Sequence, residues 1–157
     1  MLSDEQIQDF RHSLRFLERE FERQMKSETG CCGVTLAQCH LLLELDILKK
    51  TSIKTIAGIL ELDKSTLSRT IDSLVTENLI TRLVLKEDRR ITEIALTDKG
   101  KKTVQKINKM CNEYYSKLFD EIPDKNHKTI INGIKIFAEA MNIFRKKSSK
   151  KNSKCCK

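Results

Sequence analysis

Ile7, Phe10, Leu14, Leu17 and Phe21 follow one another at steps of three and four, with Arg and Glu between them. That spacing puts one apolar stripe on a charged cylinder and predicts an amphipathic helix. Ser3 and Gln6 make a capping-box pair around Asp4 and Glu5, acids that suit a helix N-terminus, so this helix is expected from residue 3 to about residue 28, ahead of Gly30. A second capping box runs from Thr35 to Gln38, with Val34 and Cys39 at the two positions of a hydrophobic staple. The helix it opens, about residues 35–48, carries Leu41, Leu42, Leu43, Leu45, Ile47 and Leu48. It keeps little polar face and therefore belongs at the centre of the fold.

Ser52 is placed to cap a short helix ending at Leu60, and Asp63 to cap another with Leu67, Ile71 and Leu74 on one side. Between Ile80 and Leu96 the pattern becomes β-branched and alternating, flanking the charged run Lys86-Glu87-Asp88-Arg89-Arg90, which predicts a hairpin with an exposed basic tip. Thr97 and Asp98 open a further helix striped by Val104, Ile107, Cys111, Tyr114 and Leu118 and broken by Pro123. Ile130, Ile134, Phe137, Met141 and Phe144 repeat the stripe beyond it.

The expected fold is mainly α with a small β-hairpin wing. It is a winged helix-turn-helix in one domain over residues 1–144, with a lobe over about 35–97 and flanking helices over about 3–28 and 98–144. The stripes of the flanking helices exceed what one chain of this size can cover, which predicts that they serve as dimerisation helices of a homodimer.

Charge adds to this picture only after it is divided. The formal net charge is +8, from 30 basic and 22 acidic residues. Seven of the basic residues and none of the acidic ones lie between Arg145 and Lys157, a Lys/Ser/Asn-rich stretch read as a disordered tail. The body is therefore nearly neutral, and any surface for nucleic acid must come from local clustering. Residues 49–90 hold nine bases against six acids, whereas residues 1–28 hold five against seven. The surplus thus coincides with the helix-turn-helix and the hairpin.

No run approaches the roughly 18 apolar residues of a membrane span, and residues 1–11 lack the basic-then-apolar order of a signal peptide. A cytoplasmic location with no membrane partner is expected. Six cysteines, two adjacent pairs and two single residues, match neither a secreted disulfide framework nor C-x-x-C zinc spacing, so reduced thiols are expected.

A helix-turn-helix needs a small residue in its first helix, an apolar plug in its turn, and a second helix whose early residues reach base edges. Ala57, Leu62 and the run Asp63-Lys64-Ser65-Thr66-Leu67-Ser68-Arg69 meet these needs. Arg69 can bond guanine in bidentate fashion, the hydroxyls of Ser65, Thr66 and Ser68 can serve bases or phosphates, and Lys64 is placed for phosphate. Simple capping of the helix N-terminus is the lesser alternative for Ser65 and Thr66, and it is compatible with DNA contact. In the hairpin tip, Arg89 or Arg90 can enter a narrow minor groove while Asp88 orients the guanidinium and Lys86 adds charge.

The order of core helix, helix-turn-helix, hairpin, Asp88-Arg89-Arg90 and Leu96-Thr97-Asp98-Lys99-Gly100 resembles the MarR family of bacterial regulators over nearly the whole chain, to Phe144. The resemblance implies a triangular dimer with intertwined terminal helices, two winged lobes on a palindromic operator, and repression as the usual outcome. It places Asp88, Arg89 and Arg90 in the wing.

Such a regulator needs a signal. Cys31, Cys32 and Cys39 with His40 flank one helix start, where the dipole favours a thiolate. Three thiolates suit a soft metal or metalloid, zinc would need His40 or His12 as well, and oxidation is a third option. A small organic ligand between the lobes is the alternative effector, and no cofactor is required. A thiol enzyme around Cys39 and His40 is disfavoured, since adjacent helical positions point about 100° apart and no phosphate cradle or C-x-x-C is present. An interaction module that has lost specific DNA binding is the other competing class.

Overall fold

The computed structural model describes residues 1–28, 33–84 and 92–152. Its elements are α1 (Asp4–Glu28), α2 (Leu36–Leu48), β1 (Lys50–Ser52), α3 (Ile53–Leu60), α4 (Lys64–Thr76), β2 (Ile80–Val84), β3 (Thr92–Leu96), α5 (Asp98–Asp120) and α6 (Asp124–Asn152). The chain divides into two compact units, residues 1–108 and 109–157, with the boundary inside α5.

Local capping chemistry sets the helix starts. Gln6 N–H donates to Ser3 Oγ (3.2 Å) while Ser3 N–H donates to Gln6 Oε1 (2.9 Å). Thr35 and Gln38 repeat the reciprocal pair at 3.3 and 2.7 Å. Ser52 accepts from Thr55 N–H at 3.1 Å and caps α3. Each box satisfies backbone donors that the first helical turn leaves without partners.

In the first unit Leu41, Leu42 and Leu45 of α2 are fully buried, together with Ile56 of α3, Leu74 of α4 and Ile94 of β3. Leu67 and Ile71 of α4, Leu79, Ile80 of β2, and Val104 and Ile107 of α5 complete the cluster. Val34 and Cys39 pack against it, as the staple reading requires. Gln38 is buried as well, and its amide nitrogen donates to Ser73 Oγ (3.0 Å) and Glu77 Oε1 (3.1 Å), so the residue that caps α2 also ties it to α4.

The sheet is three-stranded and antiparallel in the order β1-β3-β2. The hairpin register pairs Ile80 with Leu96 and Arg82 with Ile94, and β1 pairs Thr51 with Ile94 on the other side. The alternation of residues 80–96 marked β2 and β3 but not β1, which is three residues long and exists only through its partner.

One junction binds α4, β2 and α5 together. Thr97 donates its N–H to Leu79 O (3.1 Å) and directs its hydroxyl at Asn78 O (2.7 Å) and Leu79 O (3.2 Å), while Gly100 N–H donates back to Thr97 Oγ1 (3.0 Å). Lys99 Nζ donates to Glu77 O (2.8 Å), satisfying a carbonyl at the end of α4. A Cβ on Gly100 would stand 2.0 Å from Leu79 O, so only glycine lets the helix start approach this closely.

In the second unit α5 ends at Asp120 and α6 starts at Asp124, and the turn is held by His127. Carbonyls can only accept, so Nε2 carries the hydrogen and shares it between Phe119 O (3.0 Å) and Ile122 O (2.8 Å). The expected disordered tail from residue 145 is corrected in part, because α6 continues to Asn152. Lys and Arg are good helix formers, and cations near a helix C-terminus offset its dipole, which outweighs the compositional signal for disorder. Much of the apolar stripe of α6 is open, with Ile134, Met141 and Phe144 all exposed; on α1, in the first unit, Ile7, Phe10, Leu17 and Phe21 are likewise exposed.

Gly100→Ala is expected to lower stability by about 1–3 kcal/mol, the usual range for overpacking. Gly133→Ala, where a Cβ meets nothing within 4 Å on α6, should be neutral or stabilising by up to about 1 kcal/mol. Thermal and urea unfolding of the two variants beside the parent checks both signs.

Candidate nucleic-acid interface

The helix-turn-helix is α3, a turn through Glu61, Leu62 and Asp63, and α4. Ala57 and Leu62 pack against the core, as the motif demands. Glu61 adopts a left-handed conformation (φ 51°) and its N–H donates to Ala57 O at 3.0 Å, closing α3 and turning the chain sharply.

Asp63 then starts α4. One carboxylate oxygen accepts from Ser65 N–H (3.0 Å), Thr66 N–H (2.9 Å) and the Ser65 hydroxyl (2.5 Å). These bonds stabilise the ionised form and hold the Asp63 carboxyl well below the usual carboxylate range, with the Ser65 and Thr66 side chains the largest influences. The cap is thus the one that the position of Asp63 predicts. With Asp63 as the cap, the Ser65 hydroxyl donates to its carboxylate and keeps its own acceptor lone pairs.

Leu67, Ile71 and Leu74 are buried, so the opposite side of α4 faces solvent. At about 100° per residue that side gathers Ser65, Ser68 and Arg69, all exposed, with Lys64 at its edge. Thr66 lies half-buried on the flank, its carbonyl accepting from the Thr70 hydroxyl at 2.8 Å. The group of short hydroxyls around one arginine is therefore assembled on a single rigid face.

Asp72 lies in the middle of the same face and was missed as a site residue, although its spacing of four from Ser68 marks it. Its carboxylate forms an ion pair with Arg82 of β2 and lies 3.5 Å from the Ser68 hydroxyl. Other local charges are also partly offset, since Lys50 pairs with Glu93 at 3.2 Å and Lys49 with Asp46 at 3.7 Å. The basic surplus counted over residues 49–90 thus overstates the free positive charge that the lobe presents.

The wing residues Lys86, Asp88, Arg89 and Arg90 lie outside the described residues, as do Cys31 and Cys32. Cys39 is half-buried and packs on the core, and His40 is exposed. Among the described residues no three His, Cys, Asp or Glu side chains come together to hold a metal ion. No described helix is long and apolar enough to cross a membrane.

Two helices joined by a sharp turn and packed on the buried face of α2, followed by the antiparallel strands β2 and β3 with the short β1 paired on the other side of β3, define a winged helix-turn-helix protein. Residues 34–92 match the MarR family. YpoP of Bacillus subtilis, an uncharacterized HTH-type transcriptional regulator, is 41% identical over 75 residues, 48% of this chain and 53% of its own. MdtR of the same species, an HTH-type transcriptional repressor, is 31% identical over 98 residues, 62% of this chain and 63% of its own. The chain therefore spans about half the length of the first relative and under two thirds of the second. Streptococcus pneumoniae FabT, crystallised in complex with DNA, shares the fold with a TM-score of 0.77 at 13% identity, over 86% of this chain and 99% of that one.

Asp63→Ala is expected to destabilise the protein at neutral pH, because three bonds to one oxygen are lost. The depressed pKa belongs to the folded state, so the parent's advantage is full above the unfolded value of about 4 and fades as pH falls through the folded one. Urea midpoints of parent and variant should run parallel from neutral pH down to about 4 and converge in stronger acid. Convergence at higher pH would show that the carboxylate is not held in this way.

Proposed function

We propose that the chain is a sequence-specific, duplex-DNA-binding transcriptional regulator that acts as a homodimer on a palindromic operator, in the cytoplasm and without catalysis. The observation that carries this reading is the exposed face of α4. Ser65, Ser68 and Arg69 are grouped there on a helix whose start is locked by Asp63 and whose far end is tied to α2 through Gln38 and Glu77. Such a face meets the size and donor-acceptor needs of a major groove. Names of relatives support the same class, and MdtR's description as a repressor favours repression.

The exposed stripes of α1 and α6 support the dimer. Monomers seldom leave apolar ridges of this extent in water, and a second copy covers them by symmetry. Two-fold symmetry in the protein then asks for two half-sites in the DNA. The signal that releases the operator is proposed to be chemical, acting either on the thiols of Cys31, Cys32 and Cys39 with His40 alongside, as soft metal, metalloid or oxidant, or as a small organic ligand.

Gel shifts on a duplex covering the region upstream of its own gene should show specific binding that weakens steeply with salt. Arg69→Ala is expected to reduce affinity by about tenfold or more, and equal loss on random duplex would argue for an interaction module instead. Ile134→Glu, on the exposed stripe of α6, should shift the protein from dimer to monomer in sedimentation and abolish specific retardation. Replacing Cys31, Cys32 and Cys39 by Ser should leave binding intact while removing release by arsenite, heavy metals or peroxide. Release that persists in this variant assigns the signal to an organic ligand.

A further inference from the structure

The lobe places an arginine on the α4 face from outside the helix. Asp72 lies one turn beyond Ser68 and Arg69 on the exposed side of α4, and its Oδ1 accepts from an Nη of Arg82, which reaches over from β2. Both side chains are substantially open to solvent, with 40% of Arg82 and 57% of Asp72 exposed. An ion pair this exposed adds little to folding, so stability alone gives a poor account of it.

Its position on the reading face suggests another role. A lone carboxylate there would repel the phosphate backbone, and Arg82 cancels that charge. Only one of the guanidinium's five N–H donors is needed for the bond to Asp72 Oδ1. A carboxylate on one edge also fixes the plane of the group and aims its other edge outward, and a planar fork of N–H groups fits a phosphate. Ser68, 3.5 Å from Asp72 Oδ2, steadies the carboxylate from the next helical turn.

We propose that Arg82 is a further DNA-contacting residue, bonding a backbone phosphate beside the major groove, and that Asp72 is the positioning residue that aims it. The inference rests on the reading of the chain as a duplex-DNA binder. It makes the base of the wing part of the α4 interface, with the Asp72–Arg82 pair fixing how strand and helix meet the DNA together.

The sign of one substitution separates positioning from mere proximity. Asp72→Ala removes a negative charge near DNA, which by itself tightens binding; if Asp72 aims Arg82, binding weakens instead. The test uses the full chain, the duplex upstream of its own gene and a random duplex of equal length, titrated over a range of salt. Arg82→Ala is expected to weaken binding about tenfold and to lower the salt slope by about one. Asp72→Ala should weaken binding several-fold, Asp72→Asn should restore it because the amide oxygen still accepts from Arg82, and Asp72→Ala combined with Arg82→Ala should be no weaker than Arg82→Ala alone. Unchanged melting temperatures keep these effects apart from misfolding. Parent-like affinity and salt slope in Arg82→Ala, or binding by Asp72→Ala as tight as the parent's or tighter, would overturn the proposal. Failure of the parent to retard either duplex overturns the DNA-binding reading itself, and this inference with it.

Discussion

The buried face of α2, Gln38 with Leu41, Leu42 and Leu45, is the constraint on which the lobe depends. Leu41, Leu42 and Leu45 lie within about 100° of one another around the helix and are fully buried, while Leu36, Ile47 and Leu48 of the same helix are exposed, so α2 sinks one apolar face into the core rather than its whole circumference. α3, α4, β1 and β3 pack around it, and Val104 and Ile107 of α5 join the same cluster. Each of these elements is thereby given one inward face, and the outward face of α4 is what remains for recognition. Fully burying one such side chain stabilises by roughly 1.5–3 kcal/mol, so the three buried leucines of α2 far outweigh any surface ion pair in the lobe.

Polar groups then set the angles that apolar burial leaves loose. Gln38 closes the first turn of α2 and reaches Ser73 and Glu77 on α4 in one side chain. Asp63 directs the start of α4, and Lys99 and Thr97 fasten its end. The reading helix is thus held at both ends and at its back by hydrogen bonds, while leucines and isoleucines hold its inner face. A helix so constrained presents Ser65, Ser68 and Arg69 without an ordering cost at each encounter with a ligand.

What could be read from the sequence was what depends on neighbours a few residues apart. The Ser3–Gln6 and Thr35–Gln38 boxes, the Asp63 cap and the stripes of α4 and α5 are all interactions at separations of two to four, and they appear where spacing places them. Features that depend on remote partners were not legible. β1 exists through pairing with β3, Arg82 gains its meaning from Asp72 across a turn, and the second role of Gln38 lies on another helix. Residues 145–152 misled through composition, because a lysine-rich run looks like a solvated tail while its helix propensity lets α6 extend. For Gly100 the motif drew notice as a pattern, but the reason for glycine is a carbonyl belonging to Leu79, twenty-one positions earlier.

That contact has a mechanical consequence. Where Gly100 meets Leu79 O there is no side chain to yield, and the hydroxyl of Thr97 donates to that same carbonyl and to Asn78 O beside it. The start of α5 and the end of α4 therefore have no slack between them. Any shift of the first turn of α5 toward Leu79 must therefore break the Thr97 bonds or drive backbone into backbone, which makes the junction a rigid joint rather than a hinge.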